Sequence, residues 1–318
     1  MTSAQEPSSR SDVGGRDLDQ ARALFEDGYN GSDFRTELTE AEFAYRYTIT
    51  GDDDMTLRSS MFLASIRGTV QPEDEYVVSW LTAGTGIYDV GADETPLVTG
   101  RPAMFPTGKR FAFDFTDYRQ NLIHFKAQFL ERVAAEHEGA LPGPIHFDHA
   151  AVPDADALRR WKSTITMVAT TVIGSQPSPL LLAEVKRLAA VALLDTFPHR
   201  SSPLPPVLMH PRNSRIRAAV EFIHLHAGLP ITSTDIAQAS GLSLRGLQSA
   251  FATQLETTPT TYLRDVRLDR AHADLLHLGP DETSVLAVAE RWGFAHSGRF
   301  SAAYGKRFGE LPSETLRG

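Results

Sequence analysis

The chain has 318 residues, a net charge of −9 and no cysteine. That length supports about two domains of ordinary size, each able to bury its own core. No apolar run approaches the roughly 18 positions that a membrane helix needs, and a chain without cysteine has no disulfide and no thiolate metal site, which fits a reducing, cytoplasmic setting. The charge is unevenly placed. Residues 212–318 carry 12 Lys and Arg against 11 Asp and Glu, whereas residues 1–211 carry 19 against 29. An acidic body therefore precedes a near-neutral C-terminal part that can still turn a locally basic face to nucleic acid.

Residues 1–16 are rich in Ser, Asp, Gly and Arg and lack the apolar core of a secretory signal, so a disordered tail is expected there. Helical spacing covers 17–27. Residues 43–50 (Phe-Ala-Tyr-Arg-Tyr-Thr-Ile-Thr) then alternate at period two, as a half-buried strand does. Further strand-like pieces at 61–66, 76–82, 86–90, 103–106 and 110–115, separated by Gly, Pro and Asp turns, predict a small barrel or sandwich. Tyr45, Tyr47, Trp80, Tyr88 and Phe105 are candidate walls of a small-molecule pocket in it, although aromatic residues on strands are more often plain core.

Beyond Phe125 the apolar spacing changes to threes and fours. Leu158, Trp161, Ile165, Val168 and Val172 form one such series, and Leu181, Val185, Leu188 and Ala192 form another. Two amphipathic helices are predicted, which either cover the barrel or supply a self-complementary dimer face. The prolines of 198–212 block helix and ladder bonding alike, so a linker is expected there, between one domain at 17–197 and another at 213–318.

The C-terminal part contains a near-repeat. Ala237 and Gly241 are followed by Leu242, Ser243, Leu247 and Phe251; Ala289 and Gly293 are followed by Phe294, His296, Phe300 and Tyr304. A helix-turn-helix needs this grammar: a small residue where the helices touch, a glycine for positive φ at the turn, and apolar anchors four apart on the second helix. Thr232 with Asp235 reads as a capping box, and Ser243 as the cap of the next helix. With Leu247 and Phe251 facing inward, Arg245, Gln248 and Ser249 remain for base edges. In the second unit the exposed set is Ser297, Gly298, Arg299 and Ala302, with His296 at the start, and Lys306 and Arg307 near the end are candidates for phosphate. Between the units, 261–276 reads as a rigid helical spacer of about four turns.

These residues resemble the AraC/XylS family of bacterial transcription regulators. The resemblance rests on Gly241-Leu242-Ser243, Leu247-Gln248, Phe251, Thr258-Pro259, Tyr262-Leu263, Arg267-Leu268, Trp292-Gly293-Phe294, Arg299-Phe300, Tyr304, Arg307-Phe308-Gly309 and Pro312. It implies a seven-helix domain with two helix-turn-helix units flanking a long helix. The family's base-contacting places fall on Arg245, Gln248 and Ser249, then on Ser297, Gly298, Arg299 and Ala302. Ser249 and Ala302 stand where the family often has a long basic side chain, which implies modest affinity per domain with dimerisation adding the rest.

The first half resembles more loosely the family's sensing half, a cupin-like barrel followed by two dimerisation-type helices. Residues 100–108 fit a cupin turn, but Phe111 stands where that pattern places a metal-binding histidine, so no metal or other cofactor is expected. His146 and His149 are spaced as a ligand pair but read as solvated. The expected fold is α+β: an N-terminal cupin-like β-barrel and an all-α C-terminal domain. The expected function is sequence-specific transcription regulation on double-stranded DNA, as a homodimer, under a small-molecule effector held in the barrel. The alternative is an effector-independent regulator whose first domain only dimerises or binds a protein. RNA polymerase is admitted as a further partner, a membrane is not, and the missing cysteine nucleophile, Gly-x-Ser-x-Gly and phosphate-loop patterns argue against an enzyme.

Overall fold

The computed structural model describes residues 9–72, 74–174, 177–280 and 283–317. The chain divides into two compact units, Met1–His137 with Pro144–Ser201, and Glu138–Gly143 with Ser202–Gly318. In chain order the first half carries β1 (Ser9–Gly15), α1 (Leu18–Gly28), β2 (Gly31–Glu37), β3 (Tyr45–Gly51), β4 (Met55–Val70), β5 (Glu75–Tyr88), β6 (Thr95–Pro96), β7 (Ala103–Met104) and β8 (Phe111–Lys126). Then come α2 (Ala127–Glu138), β9 (Ala140–Phe147), α3 (Ala155–Gly174), α4 (Pro179–Thr196) and β10 (His199–Pro203).

Eight strands make one antiparallel sheet in the order β1-β3-β4-β8-β5-β6, with β2 also on β4 and β7 also on β5; β9 and β10 pair separately. The expected closed barrel is therefore corrected to an open sheet. Among the described residues no ladder joins β6 to β1, and β6, two residues long, is too short to carry a closing one. Two further expectations change. Residues 9–15, expected in a disordered tail, form β1, paired in continuous register with β3 from Ser9↔Gly51 to Gly15↔Tyr45. The backbone ladder and the Arg46–Asp12 ion pair at 2.6 Å hold this edge with little apolar burial, so composition does not reveal it; residues 1–8 lie outside the described residues. The separate strands expected at 76–82 and 86–90 are one strand, β5, with register shifts around Gly84. Gly84 has φ +81°, and a Cβ there would meet Asp117 O at 2.4 Å.

Period two buries both faces of the sheet. On the inner face Phe62 and Ile66 of β4, Phe111, Phe115, Tyr118 and Leu122 of β8, and Ala21 and Phe25 of α1 share one core. On the outer face Val78, Ile123 and Phe125 meet Leu130, Trp161, Val168 and Leu193 of α2, α3 and α4. Of the predicted stripe on α3, Trp161, Ile165, Val168 and Val172 are buried on the sheet while Leu158 is half-buried, and Leu181 and Leu188 of α4 face solvent.

The second unit contains two single 3-10 turns, Pro206–Met209 and Pro211–Asn213, and then α5 (Ser214–Leu225), α6 (Ser233–Ala239), α7 (Leu244–Leu255), α8 (Pro259–His277), α9 (Val285–Arg291), α10 (Ser297–Phe308) and α11 (Pro312–Thr315). It has two small cores. Ile216, Val220, Ile236, Leu247 and Phe251 form one, and Val288, Phe300 and Tyr304 centre the other. Helix α8 supplies both, Leu263 and Val266 to the first and Leu268, Ala271 and Leu275 to the second. Leu204 and Leu208, within the stretch expected as a linker, are buried in the first core.

Candidate nucleic-acid interface

The two repeated units are built alike down to their backbone bonds. In the first, Gly241 has φ +65°, and Leu242 N donates to Ala237 O at 2.9 Å. In the second, Gly293 has φ +73°, and Phe294 N donates to Ala289 O at 2.8 Å. This six-residue loop closes α6 and α9 and requires the left-handed conformation that glycine adopts without strain. The first helix of each pair starts on a side-chain cap: Thr232 forms the full capping box with Asp235, and Ser284 Oγ accepts from Ala287 N at 3.1 Å. Helix α7 starts on Ser243, whose Oγ accepts from Gly246 N at 3.1 Å, whereas His296 gives α10 no such bond.

These turns fix which side chains point out. Leu247, Phe251, Phe300 and Tyr304 are fully buried, and this rotates Arg245, Gln248 and Ser249 of α7 outward. On the second unit His296, Ser297, Gly298, Arg299, Ala302, Lys306 and Arg307 are all exposed. Arg245, Arg299 and Lys306 have no ion-pair partner among the described residues, so their charge is available. Arg307 differs, because its guanidinium forks onto Asp269 at 2.6 and 2.7 Å, and that pairing raises its pKa.

One basic feature escaped the sequence reading, which treated α8 as a spacer. An open groove of about 540 Å³ lies between α8 and the second helix-turn-helix, lined by Arg264, Arg267, His296 and Arg299. Arg267 is held by the carbonyls of Ala227 and Leu229 at 2.7 and 2.6 Å rather than by a carboxylate. The three-residue spacing of Arg264 and Arg267 on a predicted helix was the available signal.

The five candidate pocket residues do not form one set. Tyr45, Tyr47, Tyr88 and Phe105 share the inner core, but Trp80 packs on the opposite face, because it shares the parity of Tyr76 and Val78 on β5, and the register shifts between Leu81 and Thr85 bring Tyr88 to the inner side. Tyr88 and Phe105 line an inner cavity of about 30 Å³, together with Phe25, Tyr29, Phe111 and Gln120. Trp80 instead lines an open groove of about 830 Å³ between the sheet and α3, with Arg101, Asn121 and Lys162. Burial pushes the Tyr88 hydroxyl far above its ordinary pKa, and it sits 2.5 Å from Ser79 Oγ. Of the two histidines expected to be solvated, His146 is exposed but the His149 side chain is largely buried. His149 Nε2 lies 3.2 Å from Asp89, whose carboxylate also takes Lys109 Nζ at 2.5 Å, so a cation already occupies that oxygen.

Comparison with known proteins agrees with this geometry. Residues 236–318 match the family described as helix-turn-helix domain, and residues 50–195 match the AraC-binding-like domain. The chain is 28% identical to the probable thc operon regulatory protein of Rhodococcus erythropolis, over 95% of this chain and 93% of that one. It is 34% identical to XylDLEGF operon transcriptional activator 2 of Pseudomonas putida, over 44% of this chain and 87% of that one. It spans about a third of the length of other XylDLEGF operon activators of that organism. Among solved structures, the AraC-like transcriptional activator CuxR aligns with 83% of this chain and 96% of its own, at 16% identity and a TM-score of 0.45. The protein is thus a DNA-binding transcription regulator that joins an AraC-binding-like N-terminal domain to a C-terminal helix-turn-helix domain. It belongs to the AraC/XylS family.

Proposed function

We propose that the protein reads a specific operator through α7 and α10 and that a small molecule in the sheet unit controls this binding. The first part rests on one observation: two glycine turns closed by the same backbone bond, each followed by a helix with buried anchors and an exposed outer face, Arg245, Gln248 and Ser249 on one and Ser297, Gly298, Arg299 and Ala302 on the other. Arg forks onto guanine and Gln onto adenine in the major groove, at about 1–3 kcal/mol of discrimination per bidentate pair. His296, Lys306 and Arg307 are assigned to the DNA backbone. Footprinting on DNA upstream of the protein's own gene, against a scrambled duplex, tests this; equal affinity for both would sink sequence-specific reading.

Effector control is supported by the match to the AraC-binding-like domain and by the aromatic inner cavity. The size of that cavity favours the effector-independent alternative, since a pocket for a drug-sized ligand occupies about 300–1,000 Å³. A thermal-shift screen with candidate metabolites separates the two readings, because a ligand at 100 times its dissociation constant adds about 2.7 kcal/mol. The protein acts in the cytoplasm, where its DNA is, and as a homodimer. Exposed Met167 and Ile173 on α3 and Leu180, Leu181 and Leu188 on α4 supply the apolar surface for that association. RNA polymerase is a further candidate partner.

A further inference from the structure

The inner core of the sheet unit holds two buried polar atoms, Tyr29 Oη and His124 Nε2, that lack a well-formed hydrogen bond among the described residues. Their rings lie 6.3 Å apart, centroid to centroid. Buried atoms in this condition are rare, because each has given up its hydration without replacement.

His124 is oriented from behind. Its Nδ1 lies 2.9 Å from Glu75 Oε2, and an ionised carboxylate only accepts, so Nδ1 carries the hydrogen and Nε2 presents a bare lone pair. Burial holds the imidazole below its ordinary pKa and so uncharged. Against the penalty of its own burial, the bond from His124 and the charge of Arg58 keep Glu75 below its usual range, and hence ionised. Arg58 stands 3.7 Å from Glu75 and donates to Tyr47 Oη at 3.1 Å, so the carboxylate is balanced, while the Tyr47 hydroxyl keeps its own hydrogen beside Tyr29. The cluster carries no net charge and offers one acceptor and one hydroxyl. Of the two residues Tyr29 lines the cavity, beside Phe25, Phe34 and Phe111, and its ring connects that aromatic wall to the His124 ring 6.3 Å away.

We infer that Tyr29 and His124 form the polar end of an effector subsite for a small, uncharged, ring-bearing compound whose N–H or O–H donates to His124 Nε2 and whose acceptor takes the Tyr29 hydroxyl. The inference rests on the reading of the sheet unit as effector-binding. A carboxylate brings no hydrogen to Nε2 and meets no net positive charge, and a plain hydrocarbon leaves both atoms unpaired. The cavity of about 30 Å³ has room for little more than a water molecule, so a ring enters as the phenylalanines of the wall turn aside.

Benzamide, toluene and benzoate are similar in size and differ in the feature at issue. Titrated calorimetrically into the full-length protein, benzamide is expected to bind about tenfold tighter than either of the others. That preference should shrink to about threefold or less in His124→Phe and in Tyr29→Phe. Tyr29→Phe removes one oxygen and keeps the ring, so it remains informative if His124→Phe does not fold. Toluene binding as well as benzamide, benzoate binding tightest, the preference persisting in Tyr29→Phe, or no probe binding at millimolar concentration would each overturn the subsite; in the last case the two atoms are hydrated core atoms. Operator affinity measured with and without benzamide keeps the two claims apart. Benzamide selectivity without a change in DNA binding leaves the subsite standing and removes effector control, whereas a change in DNA binding by a ligand that ignores Tyr29 and His124 does the reverse.

Discussion

Arg245 lies two residues into α7, whose start is fixed by the Ser243 cap and whose rotation is fixed by Leu247, so its guanidinium emerges near the helix end that enters the groove in helix-turn-helix complexes. Arg245→Ala is expected to cost about 1–3 kcal/mol at one or two base pairs and to relax specificity there, measured by binding-site selection. Lys306→Ala should instead weaken all sequences evenly and reduce the salt slope by about 1. Arg307→Ala should change that slope less, because Asp269 already balances its charge. His224 makes a separate prediction. Burial, reinforced by the Arg270 charge, pushes its pKa down to about 3 from 6.5. Between those values the unfolded chain takes a proton that the folded chain refuses. The stability from neutral His224 is therefore full above about pH 6.5 and is lost as the pH falls towards 3. Chemical unfolding between pH 7 and 4 should show a decline of up to about 1 kcal/mol per pH unit from this residue. His224→Phe should flatten it, and an unchanged slope in the variant would assign the titration to other groups.

Helix ends were the most legible features of the chain. The Thr232–Asp235 box, the Ser243 cap and the two glycine turns were all read from residue type and spacing, because capping depends on atoms within a few residues of one another. Thr232→Ala is accordingly expected to destabilise the second unit by about 1 kcal/mol in thermal or urea unfolding. Gly305→Ala should act in the opposite sense, stabilising α10 by about 0.5–1 kcal/mol, since φ is ordinary there and the added Cβ meets Glu310 O at a comfortable 3.6 Å. Strands were read less well. β1 and β2 escaped detection because each owes its place to ladder bonds with a distant partner, and of the two only Phe34 of β2 buries a large apolar side chain. Bulges account for the rest: the shifts between Thr116 and Tyr118 of β8 and near Gly84 of β5 change which parity faces inward, odd at Phe111 and Phe115 but even at Tyr118 and Leu122, so counting by twos along β8 and β5 misassigns faces.

For the chain as a whole, affinity for DNA should combine two modest helix-turn-helix contacts with association of subunits. Leu180→Glu with Leu188→Glu is expected to shift the protein towards monomer in light scattering and to weaken operator binding while leaving the fold intact, since both side chains are exposed. An unchanged mass would place the dimer contact elsewhere. Residue order alone was enough to mark the duplicated DNA reader, the caps of its helices and the outward face of α7, since these follow from periodicities of a few residues and from the backbone freedom of glycine. It could not separate Trp80 from Tyr88, or reveal that Lys186 of α4 is buried on Asp52 and Asp54 at 2.8 and 2.6 Å. Nor could it set Tyr29 beside His124 or bring Glu75 behind the imidazole. Those relations join residues tens to more than a hundred positions apart, and they exist only once strand pairing and the bulges have chosen which side of the sheet each side chain occupies.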